Sequence, residues 1–117
     1  MGRPKSTTLG ILTGARKRLE KGWVQRAYNM QIAGVASYCI LGAVCAETGA
    51  SVWLEYAGER RYKGARAVQI LNRISRNKCG MSAMMFNDTP GRTLDEVLGL
   101  VDEAIKSVKE KSTCGTK

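Results

Sequence analysis

The sequence predicts a mainly α, compact single domain of about four helices with at most a short β-pair. Three observations lead there. Two long segments, Tyr62 to Asn77 and Leu94 to about Lys109, repeat apolar residues at the helical period. A third, Ala27 to Ala46, carries no charged residue and suits the centre of a core. With 117 residues and 44% hydrophobic content, the chain is large enough for one core and too small for two. The helical domain is expected over residues 9–110, between a flexible N-terminal tail (1–8) and a frayed C-terminal tail (111–117).

In chain order, Leu9, Leu12 and Leu19 recur near helical spacing among Arg16, Lys17, Arg18 and Lys21, which predicts a first helix over Thr8 to Lys21. Gly22 is placed to end it, and Trp23 to Met30 continues as a short helix or a connector. Gly34 to Glu47 is small and apolar on every face and reads as the central helix. A bilayer span is the competing reading, but Asn29, Gln31, Ser37 and two glycines interrupt the charge-free stretch, which favours burial in a core. Val52, Trp53 and Tyr56 make Ser51 to Tyr56 β-prone, and the available strand partner is Met81 to Phe86.

The third helix, Tyr62 to Asn77, gathers Ala67, Val68, Ile70, Leu71 and Ile74 on one side and Arg66, Gln69, Arg73 and Arg76 on the other. Asn87 to Arg92 is a turn: Asn and Asp side chains fold back on the backbone, Pro90 pre-sets one dihedral and Gly91 tolerates a positive one. Thr93 with Glu96 then forms a capping box. The last helix follows, with Leu94, Val97, Leu98, Val101, Ala104, Ile105 and Val108 on one face.

Net charge is +9, and its distribution is uneven. Residues 1–30 hold seven bases and one acid, residues 31–59 three acids and no base, residues 60–78 seven bases and no acid, and the remainder five bases and six acids. An ordinary solvated helix carries acids one turn from its bases, as Asp102 and Lys106 do in the last helix. From Arg60 to Lys78 there are none. Arg60, Arg61, Lys63, Arg66, Gln69, Arg73, Arg76 and Lys78, with Arg16 and Lys17 from the first helix, therefore suit phosphate oxygens, because guanidinium donates in a fork and binding releases counterions. The competing readings are a face that keeps the protein soluble and a face for an acidic host protein. Gly2-Arg3-Pro4-Lys5 resembles the core of an AT-hook, but four residues are weak evidence and a plain flexible tail is the favoured reading.

The chain has no histidine, which removes the commonest general base and the Ser-His-Asp and Cys-His arrangements. It has no Cys-x-x-Cys pair, and Cys39 and Cys45 lie well apart around a helix, so they read as small core residues; no metal and no cofactor is implied. The opening residues lack the apolar core of a secretory signal, and the cysteines fit a reducing cytoplasm. What is left for a ligand or enzyme site is Asp88 with Arg92, joined by Asn87, Tyr38 or Trp23; an Asp88–Arg92 salt bridge that merely locks the turn competes with it.

Three motifs carry a family resemblance: Leu19-Glu20-Lys21-Gly22-Trp23-Val24-Gln25, Tyr38-Cys39-Ile40-Leu41-Gly42-Ala43-Val44, and Phe86-Asn87-Asp88-Thr89-Pro90-Gly91-Arg92-Thr93 with Glu96-Val97-Leu98. Together they resemble an uncharacterised family of small bacterial and phage proteins, the domain-of-unknown-function 6197 family. Val24 stands where that family commonly has Cys, and Phe86 where it commonly has Trp. The resemblance implies a mainly helical cytoplasmic domain, often encoded on mobile elements and without an established activity. The expectation is a small accessory or regulatory binding protein that docks on nucleic acid or a nucleoprotein complex. The alternatives are a protein–protein inhibitor of a host defence complex, and a ligand binder or enzyme using the Asn87 turn.

Overall fold

A computed structural model describes residues 7–48 and 63–115. Its elements are α1 (Thr8–Lys21), β1 (Asn29–Ile32), β2 (Val35–Tyr38), α2 (Ile40–Thr48), α3 (Lys63–Cys79), α4 (Ala83–Asp88) and α5 (Leu94–Gly115). The fold is mainly helical with one small β-pair, as expected. The proposed strand over Ser51 to Tyr56, and Arg60 and Arg61, lie outside the described residues.

Helix α1 starts where the Thr7 hydroxyl accepts the Gly10 N–H at 2.9 Å. Ile11, Leu12, Ala15 and Leu19 form its buried face. It ends at Gly22, as predicted, but the reason is space. Gly22 is extended (φ −167°), and a Cβ there would meet the Ala36 carbonyl oxygen at 2.8 Å and the Ser37 hydroxyl.

The predicted helix over Gly34 to Glu47 is corrected over its first six residues, because the helix begins at Ile40. Asn29–Ile32 and Val35–Tyr38 form an antiparallel hairpin in which Ile32 faces Val35 and Asn29 faces Tyr38. Ala33 and Gly34 connect the strands with φ of 51° and 80°, the positive pair that a tight twisted hairpin turn requires. Tyr38 then pairs with Trp23, giving its N–H to the Gly22 carbonyl and receiving the Val24 N–H. The stretch from Trp23 is thus a connector laid along β2.

Helix α2 is short and deeply set, with Ile40 through Cys45 all buried. Its first amides are held by side chains: the Gly42 N–H donates to Cys39 Sγ at 3.3 Å and the Ile40 N–H to Asn87 Oδ1 at 3.1 Å. Tyr28 crosses so close that a Cβ on Gly42 would sit on its carbonyl oxygen. Helices α1 and α2 share the centre, with α3, α4 and α5 packed around them.

In α3, Ala65, Ala67, Ile70, Leu71 and Ser75 are buried while Arg66, Gln69, Arg73 and Arg76 are exposed, which matches the predicted faces. The helix closes on Gly80 (φ 73°), whose N–H bonds to the Arg76 carbonyl at 2.8 Å. The predicted strand over Met81 to Phe86 is helix α4 instead. Ser82 caps it, and Asn72 of α3 accepts the Ala83 N–H at 2.8 Å, so the segment's first amides are satisfied by side chains. After α4, the Arg92 N–H bonds to the Thr89 carbonyl at 3.0 Å across Pro90 and Gly91 (φ 84°). The capping box forms: Glu96 Oε1 accepts the Thr93 N–H at 2.9 Å, and Thr93 Oγ1 accepts the Glu96 N–H at 3.2 Å. Val97, Leu100, Val101 and Ala104 of α5 fill the core.

Candidate functional site

Two clusters of the predicted site residues can be located: the basic face of α3 and the residues around Asn87. On α3, Arg66, Gln69, Arg73 and Arg76 follow one another at intervals of three, four and three. At about 100° per residue these positions span roughly one 80° stripe, and all four are exposed. Arg73 donates to the Ser107 hydroxyl of α5 at 3.1 Å, a neutral partner that leaves its charge uncompensated. Arg66 and Arg76 form no ion pair among the described residues.

The other predicted bases differ. Lys78 Nζ lies 2.6 Å from Glu103, and that hydrogen-bonded pairing raises its pKa. Arg16 is held by Asp102 at 2.6 Å and by Glu20, which raises its pKa likewise. Asp102 therefore faces α1, and its expected partnership with Lys106 along α5 gives way to a pair between helices. Adjacent Asp102 and Glu103 reach to opposite sides, one to α1 and one to α3. Lys17 is exposed on α1, and Lys63 opens α3. Arg18, which was not among the predicted binding residues, is also taken: partial burial disfavours its charge, but Glu47 and Tyr38 more than offset that.

Around Asn87 the three motifs meet. Its side chain is fully buried at the end of α4. Nδ2 donates to the Val24 carbonyl at 3.1 Å and to Asp88 Oδ1 at 2.9 Å; Oδ1 accepts the Trp23 indole N–H at 2.8 Å and the Ile40 N–H at 3.1 Å. These four bonds exhaust the amide's capacity and fix its orientation, since a flipped amide would mismatch all four. Asp88 Oδ1 also accepts the N–H of Arg26, a residue held at a positive φ of 63°. Trp23, Asn87 and Asp88 are thus brought together. Tyr38 joins through its backbone alone, because its hydroxyl accepts from Arg18.

The expected Asp88–Arg92 salt bridge is not formed. Arg92 Nε donates to the Phe86 carbonyl at 2.8 Å, its guanidinium stacks 3.7 Å over the Phe86 ring, and Nη1 is 3.8 Å from Glu96. The residue that sequence reasoning overlooked here is Gln25, whose Nε2 donates to the carbonyls of Asn87 (3.0 Å) and Thr89 (2.8 Å) and so clamps the turn. Its place in the Gly-Trp-Val-Gln motif was the available signal. Cys39, beside this cluster, is buried, and burial pushes its thiol pKa up despite the opposing Gly42 hydrogen bond, so it is a poor nucleophile.

A family model described as "Family of unknown function (DUF6197)" matches residues 3–107, and the chain belongs to that family. No curated protein and no solved structure matches it significantly. No helix among the described residues is long and apolar enough to cross a membrane.

Proposed function

We propose that the protein is a small, non-catalytic accessory or regulatory protein of the cytoplasm that docks on nucleic acid, or on a nucleoprotein complex, through the outer face of α3. The observation that carries this reading is the segregation of pairing. Asp102, Glu103, Glu20 and Glu47 are spent on Arg16, Lys78 and Arg18, while Arg66, Arg73 and Arg76 stand exposed on one stripe without an acid among the described residues. A planar fork of donors on each suits phosphate oxygens. The Asn87 cluster supports this division of labour, because a fully bonded amide has nothing left to offer a ligand.

The test is binding of the purified protein to short duplex DNA, single-stranded DNA and RNA across a salt series. Three phosphate contacts give a log–log slope of about −2.7 on duplex DNA, or roughly a 40-fold loss of affinity between 50 and 200 mM salt. The double variant Arg66→Glu, Arg73→Glu should abolish binding with the helical circular dichroism unchanged. Salt-independent binding, or binding that survives the charge reversal, would refute the reading; capture of a partner that resists nuclease would move it to an acidic protein.

A further inference from the structure

The β1–β2 hairpin is anchored at its Ser37–Tyr38 end against α1 and the Gly22–Val24 segment, and the rest of it projects from the packed helices. Residues 29–36 are all exposed, with Ser37 the first buried position. Met30, Ile32 and Val35 are 49%, 44% and 44% exposed, and the register places all three on one face of the hairpin. Tyr38 directs both its N–H and its C=O at the Gly22–Val24 segment, so its pairing with Asn29 is a wide one. Alternation along an antiparallel ladder then puts the hydrogen bonds at Ile32–Val35 and Met30–Ser37. Asn29 and Gln31 consequently aim their backbone groups away from β2, along a free edge without a partner among the described residues.

We propose that this edge is a self-association surface, on which β1 pairs antiparallel with β1 of a second copy about a two-fold axis through Met30. The outward-facing residues 29 and 31 flank Met30 symmetrically, so Asn29 of each copy meets Gln31 of the other and both pairs exchange backbone hydrogen bonds. Charge selects the occupant. No charged residue occurs from Ala27 to Ala46, so two chains of net charge +9 can approach here without opposing like charges, whereas a polyanion finds nothing to bind. Exposed edges are ordinarily guarded by a lysine, a proline or an inward charge, and this one carries none of them. Beyond the Trp23–Tyr38 bridge the hairpin is a two-stranded ribbon, which is marginal in water by itself, and pairing yields four strands with both sets of Met30, Ile32 and Val35 on one face. The proposal is independent of what α3 binds.

Sedimentation equilibrium of the full chain under reducing conditions, without nucleic acid, tests it. The wild type should be a dimer at micromolar concentration. Met30→Lys and Met30→Glu each put two like-charged side chains side by side on Cα atoms about 4.5 Å apart across the axis, and each alone should associate at least about 100-fold more weakly. Since Met30 is exposed, their helical circular dichroism should match wild type, and their melting should match that of wild type diluted until it is monomeric. An equimolar mixture of the two should recover the dimer. A wild type that stays monomeric, a single variant that dimerises as tightly as wild type, or a mixture that associates no better than its components would each overturn the proposal.

Discussion

Replacing Asn87 by alanine is the sharpest probe of what joins the three sequence motifs. The side chain is fully buried and holds four partners. The Trp23 indole N–H and the Asp88 carboxylate are half-buried and can turn to water, but the Ile40 N–H and the Val24 carbonyl belong to buried residues and are left orphaned. An orphaned buried group costs about 1–3 kcal/mol, so the pair gives a loss of about 4 kcal/mol. A chain of 117 residues has roughly 6–18 kcal/mol in total, which makes this a large share. At roughly 2.1 cal/mol/K of unfolding entropy per residue, the melting temperature should fall by roughly 15 °C. Urea denaturation followed by circular dichroism measures the loss directly, and an unchanged m-value would confirm that the unfolding reaction is the same one. Trp23→Phe deletes a single donor and should cost only about 1 kcal/mol. If Asn87→Ala lost less than about 1 kcal/mol, the view of this amide as the clasp between the connector, α2 and α4 would be wrong.

Three further outcomes are expected. Gly42→Ala should destabilise by at least about 2 kcal/mol in urea, because the clash with the Tyr28 carbonyl outweighs the helix-propensity gain of about 1 kcal/mol; a stabilised variant would contradict the close approach. Ser75 is fully buried with a hydroxyl that has no partner among the described residues, so Ser75→Ala should be neutral or stabilise by about 1 kcal/mol, read as a rise in melting temperature. The Cys39 thiol has a raised folded pKa from burial, so the folded state holds its proton to higher pH than the unfolded chain does. Its contribution is complete below the unfolded thiol range, near about pH 8.5, and is lost as pH rises from there through the folded pKa. Cys39→Ala should therefore show a shallower fall in stability from about pH 8 to 10 than wild type, and parallel profiles would count against a buried neutral thiol.

How much of this was legible in the sequence follows from the range of the forces involved. Helices α1, α3 and α5 could be read because their apolar residues recur every three or four positions, and the Thr93–Glu96 box because both partners lie within one turn. The hairpin could not. Its turn uses Ala33 at a positive φ where a recognisable signal would have had Asn or Gly, and its strands stand outside the core, so no alternation of buried and exposed residues marks them. The exclusion of bases from the Asn87 cluster was equally hidden: Asp88 and Arg92 are one helical turn apart in sequence, yet the reversal at Gly91 lays Arg92 on Phe86, and the backbone of Arg26 takes Asp88.

The basic stripe shows the same boundary. That Arg66, Arg73 and Arg76 share a face and lack a neighbouring acid is a matter of helical spacing, and the chain alone specifies it. That Lys78 and Arg16 are neutralised while those three are not depends on where Glu103 and Asp102 arrive after folding, and for Arg18 on Glu47. Interactions within one turn are set by the covalent spacing of the chain. Partners separated by tens of residues are chosen by how the helices pack.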